Sequence, residues 1–282
     1  MVLKMNLKLN KYFMKKVRWI IQNNLIAEND LKQLQKVLKD NDIEFFEVQI
    51  IPFMSGLPAF PIDDEHENIY YGSTTFMNNI YKELNPIGLF YDHTTFSMKN
   101  YLNKWKHDML SYAGHHCTTL GEFSNRNYNK NQKWFIRPDA DSKSFNGEVR
   151  TFEEIQNLHK NITVSDDIEL NSSTEIMVAK PWNIKAEWRN YVVNGEIVSS
   201  TLYRKNFKLN KSSKYIPPKM IELTKNYISK YQPHDVFCID IGYCGDEIYQ
   251  IIECGCMNSC GWYAADMNKI VLAVSKYVSN ID

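Results

Sequence analysis

Asp240 and Glu253 are the residues whose types and spacing most directly suggest chemistry. Asp240 lies in Val236 to Ile241 and Glu253 directly follows Ile248 to Ile252; both runs are rich in β-formers. Cys244 to Glu247 supplies a turn between them. If Asp246 and Glu247 form a two-residue turn, Asp240 stands opposite Glu253, with Cβ atoms about 4.5–5.5 Å apart. Alternation puts Val236, Cys238 and Asp240 on one face, and likewise Tyr249, Ile251 and Glu253. Two carboxylates that close, with no arginine in the hairpin, either raise each other's pKa or hold a cation. Magnesium suits them, because it takes one or two carboxylates with waters and substrate phosphates. Asn258 follows five residues after Glu253 and is a candidate neutral oxygen ligand. The alternative is that Asp240 is a solvated strand residue and Glu253 a strand terminus.

Cationic groups for an anionic ligand stand upstream. Lys133 to Pro138 reads as a strand ending in Arg137, followed by a polar loop, Asp139 to Gly147, that contains Lys143 and Ser144. An arginine opposite a lysine-bearing loop can cover a phosphate tail. The loop has no GxxxxGK[ST] pattern. Glu187 to Val193 and Glu196 to Tyr203 flank Asn194-Gly195, a type I′ hairpin signal. Glu187, Arg189 and Tyr191 share a face there, and Arg204 ends the second strand. Glu187 with Arg189 also fits a surface ion pair worth about 0–1 kcal/mol. Gly72-Ser73-Thr74 before a helix is either an anion cradle or an ordinary N-cap.

These groups need elements to hold them. In a chain of 282 residues with 44% hydrophobic content there is room for two domains and a full core. Thirty-three basic residues balance 33 acidic ones, so no global charge points to nucleic acid or membrane surfaces. No run of about 18 apolar residues predicts a membrane span, and the basic start lacks a signal-peptide core, so a cytoplasmic location is expected. Disulfides are then not expected of the six cysteines. Their Cys-x-Cys-x3-Cys spacing lacks paired zinc knuckles, and buried apolar roles suit them better. The N-terminal part reads as strand Val17 to Gln22, helix Asp30 to Lys39 capped by Asn29, and strand Ile43 to Pro52. A loop from Met54 to Asn68, strand Ile69 to Tyr71 and helix Thr75 to Leu84 follow. That alternation predicts a small α/β domain with a partly parallel sheet, ending near residue 110. Beyond it come helix Phe152 to His159 capped by Thr151, strand Glu175 to Ala179, helix Met220 to Tyr231 and helix Asp266 to Val278.

A strand with a cation, a lysine loop, a linking strand, an E-x-R hairpin and then Asp, Glu and Asn in this order resemble the ATP-grasp superfamily, in its phage and bacterial branch. The matching pieces are Tyr71 to Thr74, Phe135 to Phe145, Ala186 to Val198 and Ile251 to Asp266. The resemblance implies a Rossmann-like N-terminal domain, residues 1–110, and an ATP-grasp domain of two α+β subdomains, residues 111–282. It implies that Arg137 and Lys143 bind the triphosphate and that Met177, Val178 and Ala179 form the hinge, whose backbone meets the adenine edge. By the same resemblance Lys180 would reach the base or α-phosphate, and Glu187 would be the ribose or framework acid. Arg189 and Arg204, with Lys143, would be the catalytic cations, while Asp240, Glu253 and Asn258 would hold one or two Mg²⁺. Two positions depart from the pattern. Gly255 stands where the family's Glu-x-Asn places asparagine, and Arg137 stands where a lysine is usual.

The implied activity is a carboxylate–amine ligase using ATP and Mg²⁺, on small-molecule or peptide carboxylates and amines. A nucleotide-binding protein without ligase activity, a phosphotransferase and a zinc-stabilised module are the alternatives.

Overall fold

A computed structural model describes residues 15–24, 26–51, 56–92, 94–140, 145–162 and 170–281. It contains three sheets, and the mixed α/β and α+β expectation agrees with them.

The first sheet has the order β2-β1-β3, from β1 (Lys16–Gln22), β2 (Glu44–Val48) and β3 (His66–Tyr71), all parallel. Helix α1 (Glu28–Asp40) makes the crossover from β1 to β2, burying Leu34 and Leu38. The Rossmann-like expectation meets three parallel strands here and no more among the described residues. Asn29 does not cap α1; the cap position is Ala27, and no side chain serves it. Helix α2 (Thr74–Glu83) follows β3, with Ser73 Oγ accepting from the Phe76 N–H. Helix α3 (Met98–Trp105) buries Tyr101 and Trp105.

The second sheet, β4-β7-β5-β6, joins β4 (His116–Thr119), β5 (Lys133–Pro138), β6 (Glu148–Thr151) and β7 (Glu175–Ala179). Every pairing in it is antiparallel. Helices α4 (Leu120–Ser124) and α5 (Phe152–Ile162) pack Leu120, Phe123, Phe152 and Ile155 on Trp134, Ile136, Ile176 and Val178. Thr151 and Glu154 cap α5 reciprocally through side chain and backbone.

The third sheet has five antiparallel strands in the order β10-β9-β8-β11-β12. They are β8 (Ala186–Val193), β9 (Glu196–Lys205), β10 (Lys208–Ser212), β11 (Val236–Gly245) and β12 (Ile248–Cys256). Asn194 and Gly195 turn between β8 and β9 with φ of 49° and 78°, and Asp246 and Glu247 turn between β11 and β12 with 49° and 58°. Both are the left-handed pairs that a type I′ hairpin requires. Helix α6 (Pro218–Lys230) covers one face of this sheet, packing Met220, Tyr227 and Ile228 on Val192, Phe237 and Ile239.

The opposite face divides along its length. At one end Tyr191, Val193, Val236 and Cys238 pack with helix α7 (Met267–Ser279) and with Trp19, Ile21 and Ile69 of the first sheet. Further along the same strands that face becomes charged: Arg189 and Glu187 on β8, Asp240 on β11. Four cysteines, Cys238, Cys254, Cys256 and Cys260, are buried as small apolar side chains, and none of the six forms a disulfide.

Candidate functional site

A cleft of about 640 Å³ opens between the second and third sheets, a size that suits a small ligand. From the second sheet it is lined by Phe135, Arg137 and Pro138 of β5 and by the segment Phe145 to Val149. From the third it is lined by Glu187, Arg189, Tyr203, Arg204, Asp240, Ile252 and Glu253. Lys180, Trp182 and Ile184, on the connection between the sheets, close one side.

Asp240 pairs with Glu253 in the register predicted from the Asp246–Glu247 turn. Two irregularities cancel to keep it so. Cys244 is unpaired on β11 and Ile252 is unpaired on β12, one residue inserted on each strand. The Ile252 bulge breaks the expected alternation. Ile251 is fully buried against α6's side of the sheet, while Ile252 and Glu253 both reach the cleft. Tyr249, Ile251 and Glu253 therefore do not share a face. A further bulge, on β9, leaves Tyr203 unpaired beside Arg204, and both line the cleft. Bulges re-aim side chains in this way beside functional sites. Gly242 lies opposite Glu187, where a Cβ would stand 2.8 Å from Leu110 and 3.1 Å from Ile252. A Cβ there would push those two apolar side chains from their places in the cleft lining.

Each carboxylate has an arginine from outside the hairpin. Arg189, directly opposite Asp240 on β8, binds it through Nε to Oδ1 at 2.9 Å and Nη2 to Oδ2 at 2.8 Å. Burial opposes the charge on this guanidinium, but Asp240 outweighs it and holds Arg189 firmly protonated. Burial pushes the Asp240 carboxyl up, while Arg189 pulls it back. Arg137 of β5 forms an ion pair with Glu253 across the cleft. Tyr203 donates to Glu187 Oε2 at 2.7 Å and lies 3.2 Å from Asp240 Oδ2. Burial and these two carboxylates raise its pKa well above the usual range, so it stays a donor. Burial also raises Glu187, against the hydroxyl of Tyr203 and the charge of Arg204. Beneath them Tyr203 and Tyr263 stack with ring centroids 4.9 Å apart, and the Arg189 guanidinium sits 5.2 Å from the Tyr263 centroid. Tyr263 holds that place at a φ of 54°, sparsely populated for an aromatic residue.

The structure thus brings Arg137, Lys180, Glu187, Arg189, Arg204, Asp240 and Glu253 to one cleft. It does not bring Asn258. That side chain is fully buried, accepting from the Phe90 N–H at 2.8 Å and donating to the carbonyls of Tyr70 at 2.6 Å and Gly88 at 2.9 Å. Its backbone carbonyl accepts from Gly72 N–H, and Ser73 N–H donates to Gln22 Oε1. Asn258 is a staple onto the first sheet rather than an ion ligand, and Gly72-Ser73 is a satisfied N-cap rather than an anion cradle. Met177, Val178 and Ala179 keep their side chains fully buried on a strand paired with β5 and β4, and the hinge role expected of them is one for their backbone. The connection from Lys180 onward is what lines the cleft. Lys143 lies outside the described residues.

Phe135, Trp182, Tyr203, Tyr263 and Ile252 line the cleft without having been singled out by sequence. The signals were faint: an aromatic residue beside an arginine in Tyr203-Arg204, and a tryptophan after Lys180-Pro181. Among the described residues no three carboxylate, histidine or cysteine groups converge as a metal cage. Two facing carboxylates nonetheless match the one or two that magnesium uses beside phosphate oxygens and water. No helix among the described residues is long and apolar enough to cross a membrane.

Comparison with known proteins agrees with this architecture. No curated protein sequence matches the chain. Among solved structures, the D-alanine–D-alanine ligase of Bacillus anthracis superposes with a TM-score of 0.54 at 10% identity, covering 94% of each chain. A Chryseobacterium gregarium RiPP-associated ATP-grasp ligase, in complex with ADP and a leader and core peptide, gives 0.56 at 11% identity, over 94% of this chain and 96% of its own. The L-amino acid ligase of Bacillus licheniformis gives 0.57 at 13% identity, over 94% of this chain and 74% of its own. At such identities the likeness concerns the fold. The sequence profile of an ATP-grasp domain, family 2 of its clade, matches residues 116–273, more than half of the chain, and the protein belongs to that ATP-grasp family.

Proposed function

We propose that this protein is an ATP- and Mg²⁺-dependent ligase that activates a carboxylate as an acyl phosphate and joins it to an amine. One observation carries the reading: charged groups from two sheets, Arg137 on one side and Glu187, Arg189, Arg204, Asp240 and Glu253 on the other, face a single cleft. Asp240 and Glu253 would hold Mg²⁺, which when bound neutralises phosphate charge. The arginines now paired with them, Arg189 and Arg137, would remain beside the phosphates, where a planar fork suits bidentate contact. Arg204, half-exposed at the rim, and Lys143 would meet the γ-phosphate. Trp182 and Phe135 offer apolar walls for a base, and the backbone after Ala179 offers it polar edges.

A substrate carboxylate oxygen attacks the γ-phosphorus and the bond to the ADP oxygen breaks, giving ADP and an acyl phosphate. An amine nitrogen then attacks the acyl carbon, phosphate leaves with its oxygen, and the nitrogen loses a proton. The amide is the product. No enzyme nucleophile is needed, so catalysis is positioning and charge stabilisation. A cytoplasmic location goes with this reading.

The test is ADP release with Mg²⁺, ATP and pooled amino acids and short peptides, read with product mass. ADP that requires both a carboxylate and an amine, with a product lighter by one water than their sum, is expected. A phosphorylated product that no amine consumes would point to a phosphotransferase. Nucleotide binding without ADP from any pool would leave a binding protein.

A further inference from the structure

The stretch Arg204 to Tyr215 carries five cations and no carboxylate, in a chain whose 33 basic and 33 acidic residues balance overall. It comprises the end of β9, a turn at Asn206 and Phe207 with φ of 48° and 62°, and strand β10. Among the described residues Lys205, Lys208, Lys211 and Lys214 have no ion-pair partner, whereas Arg204 meets Glu187 at 3.4 Å.

Lysines on an edge strand often serve only to keep other chains away, and β10 is an edge of the five-stranded sheet. That role does not account for the apolar side chains interleaved with them. Phe207, Leu209 and Tyr215 are 64%, 65% and 70% exposed. Nor is the stretch loose: the Tyr215 carbonyl accepts from Trp188 Nε1 at 2.7 Å. It is also continuous with the cleft. Arg204 and Phe207 line the cleft, and Lys211 Nζ sits 5.9 Å from the centroid of Tyr263, another lining residue.

We infer that β10 is a docking strand for an extended acidic peptide, which adds to the sheet edge and leads a carboxylate into the cleft. An unpaired strand edge offers main-chain N–H and C=O groups that a peptide backbone can match. Phe207, Leu209 and Tyr215 provide contacts for alternate side chains, and the lysines select carboxylates against neutral sequences. A polyanion such as RNA could use the charge, but it would leave the strand's backbone groups unmatched. The inference rests on the ligase reading for its direction toward the cleft, and names the class of substrate that site would take.

The experiment measures binding of a fluorescent peptide alternating Glu and Val, its Gln-for-Glu counterpart, an alternately N-methylated copy, and single-stranded oligo-U. Each is titrated into the full chain without nucleotide, so a failure of ATP binding does not decide the result. The Glu peptide is expected to bind, to weaken with salt, and to bind at least about ten-fold more weakly to Lys208→Glu/Lys214→Glu, since like charges repel across the edge. Both substitutions are at exposed positions, and an unchanged melting temperature checks the fold. Equal binding of the Glu and Gln peptides, equal binding to the double variant, full binding of the N-methylated copy, or preference for oligo-U would each overturn the proposal.

Discussion

The Arg189–Asp240 and Arg137–Glu253 pairs differ in where their partners are anchored. Arg189 and Asp240 sit directly opposite each other on adjacent strands of one sheet, with Asp240 2% exposed and the contact bidentate. Arg137 and Glu253 come from different sheets, and Glu253 is 32% exposed. The first pair is part of a framework: separating it would strand a guanidinium above the stacked Tyr203 and Tyr263 rings. The second is a clasp between the two jaws, and water can replace either partner. The charge types are alike, so the difference lies in burial and anchoring. On the proposed ligase reading, the framework pair keeps Arg189 beside Asp240 when Mg²⁺ is held, and the clasp is the contact that incoming phosphate and Mg²⁺ would exchange.

The largest effect should come from breaking the framework pair. Asp240→Ala leaves Arg189 buried and unpaired, a loss of about 3–5 kcal/mol of folding stability, read by urea denaturation. A change under about 1 kcal/mol would mean that water reaches Arg189 and that the two pairs are alike.

Asn258→Ala comes next, and it sharpens where the proposed metal site ends. It removes the partner of the buried Phe90 N–H and the side-chain donor to the carbonyls of Tyr70 and Gly88, at a cost of about 1–3 kcal/mol for a buried group left unmade. Mn²⁺ affinity in the presence of ATP, followed by electron paramagnetic resonance, should stay as in the wild type. A loss of metal binding with unchanged stability would return Asn258 to the ligand set.

Breaking the clasp should cost less than either. Glu253→Gln should shift stability by about 0–1 kcal/mol, since the pair is partly exposed and screened. A loss as large as that of Asp240→Ala would erase the distinction between framework and clasp.

The smallest effect concerns Glu187, beside the framework pair. Its folded pKa is raised above the ordinary 4.5, chiefly by burial. Such a group contributes most below 4.5, and that contribution is lost as pH rises through the folded value. Glu187→Gln should therefore flatten the fall in melting temperature on the alkaline side of 4.5. An unchanged slope would place the pH dependence elsewhere.

Much of this arrangement was legible because local rules set the register. Asp246–Glu247 and Asn194–Gly195 are two-residue turns, so the strands around them pair in one way, and Asp240 meets Glu253 as the turn requires. Strand β5 was read at its observed bounds because Lys133 to Pro138 is bracketed by polar segments. The bulges were not legible. Nothing local in Ile251-Ile252-Glu253 says which residue is unpaired, and that decides whether Ile252 faces core or cleft. Arg189 and Arg137 reach the carboxylates by long-range pairing, which no hairpin reveals. The partners of Asn258 are illegible locally for a related reason. Its partners Tyr70, Gly88 and Phe90 are more than 160 positions away, and only the packing of the first sheet brings them near. Strand β10 is not legible in the sequence because its lysines lack the alternation of a half-buried strand, as expected of an exposed edge.

The most direct test of the account is calorimetric titration of ATP into wild type and Glu253→Gln, each with and without Mg²⁺. The account predicts binding that Mg²⁺ strengthens in the wild type, and a Glu253→Gln protein that melts as the wild type does but gains nothing from Mg²⁺. Equal Mg²⁺ enhancement in both proteins, or no ATP binding by the wild type, would contradict it.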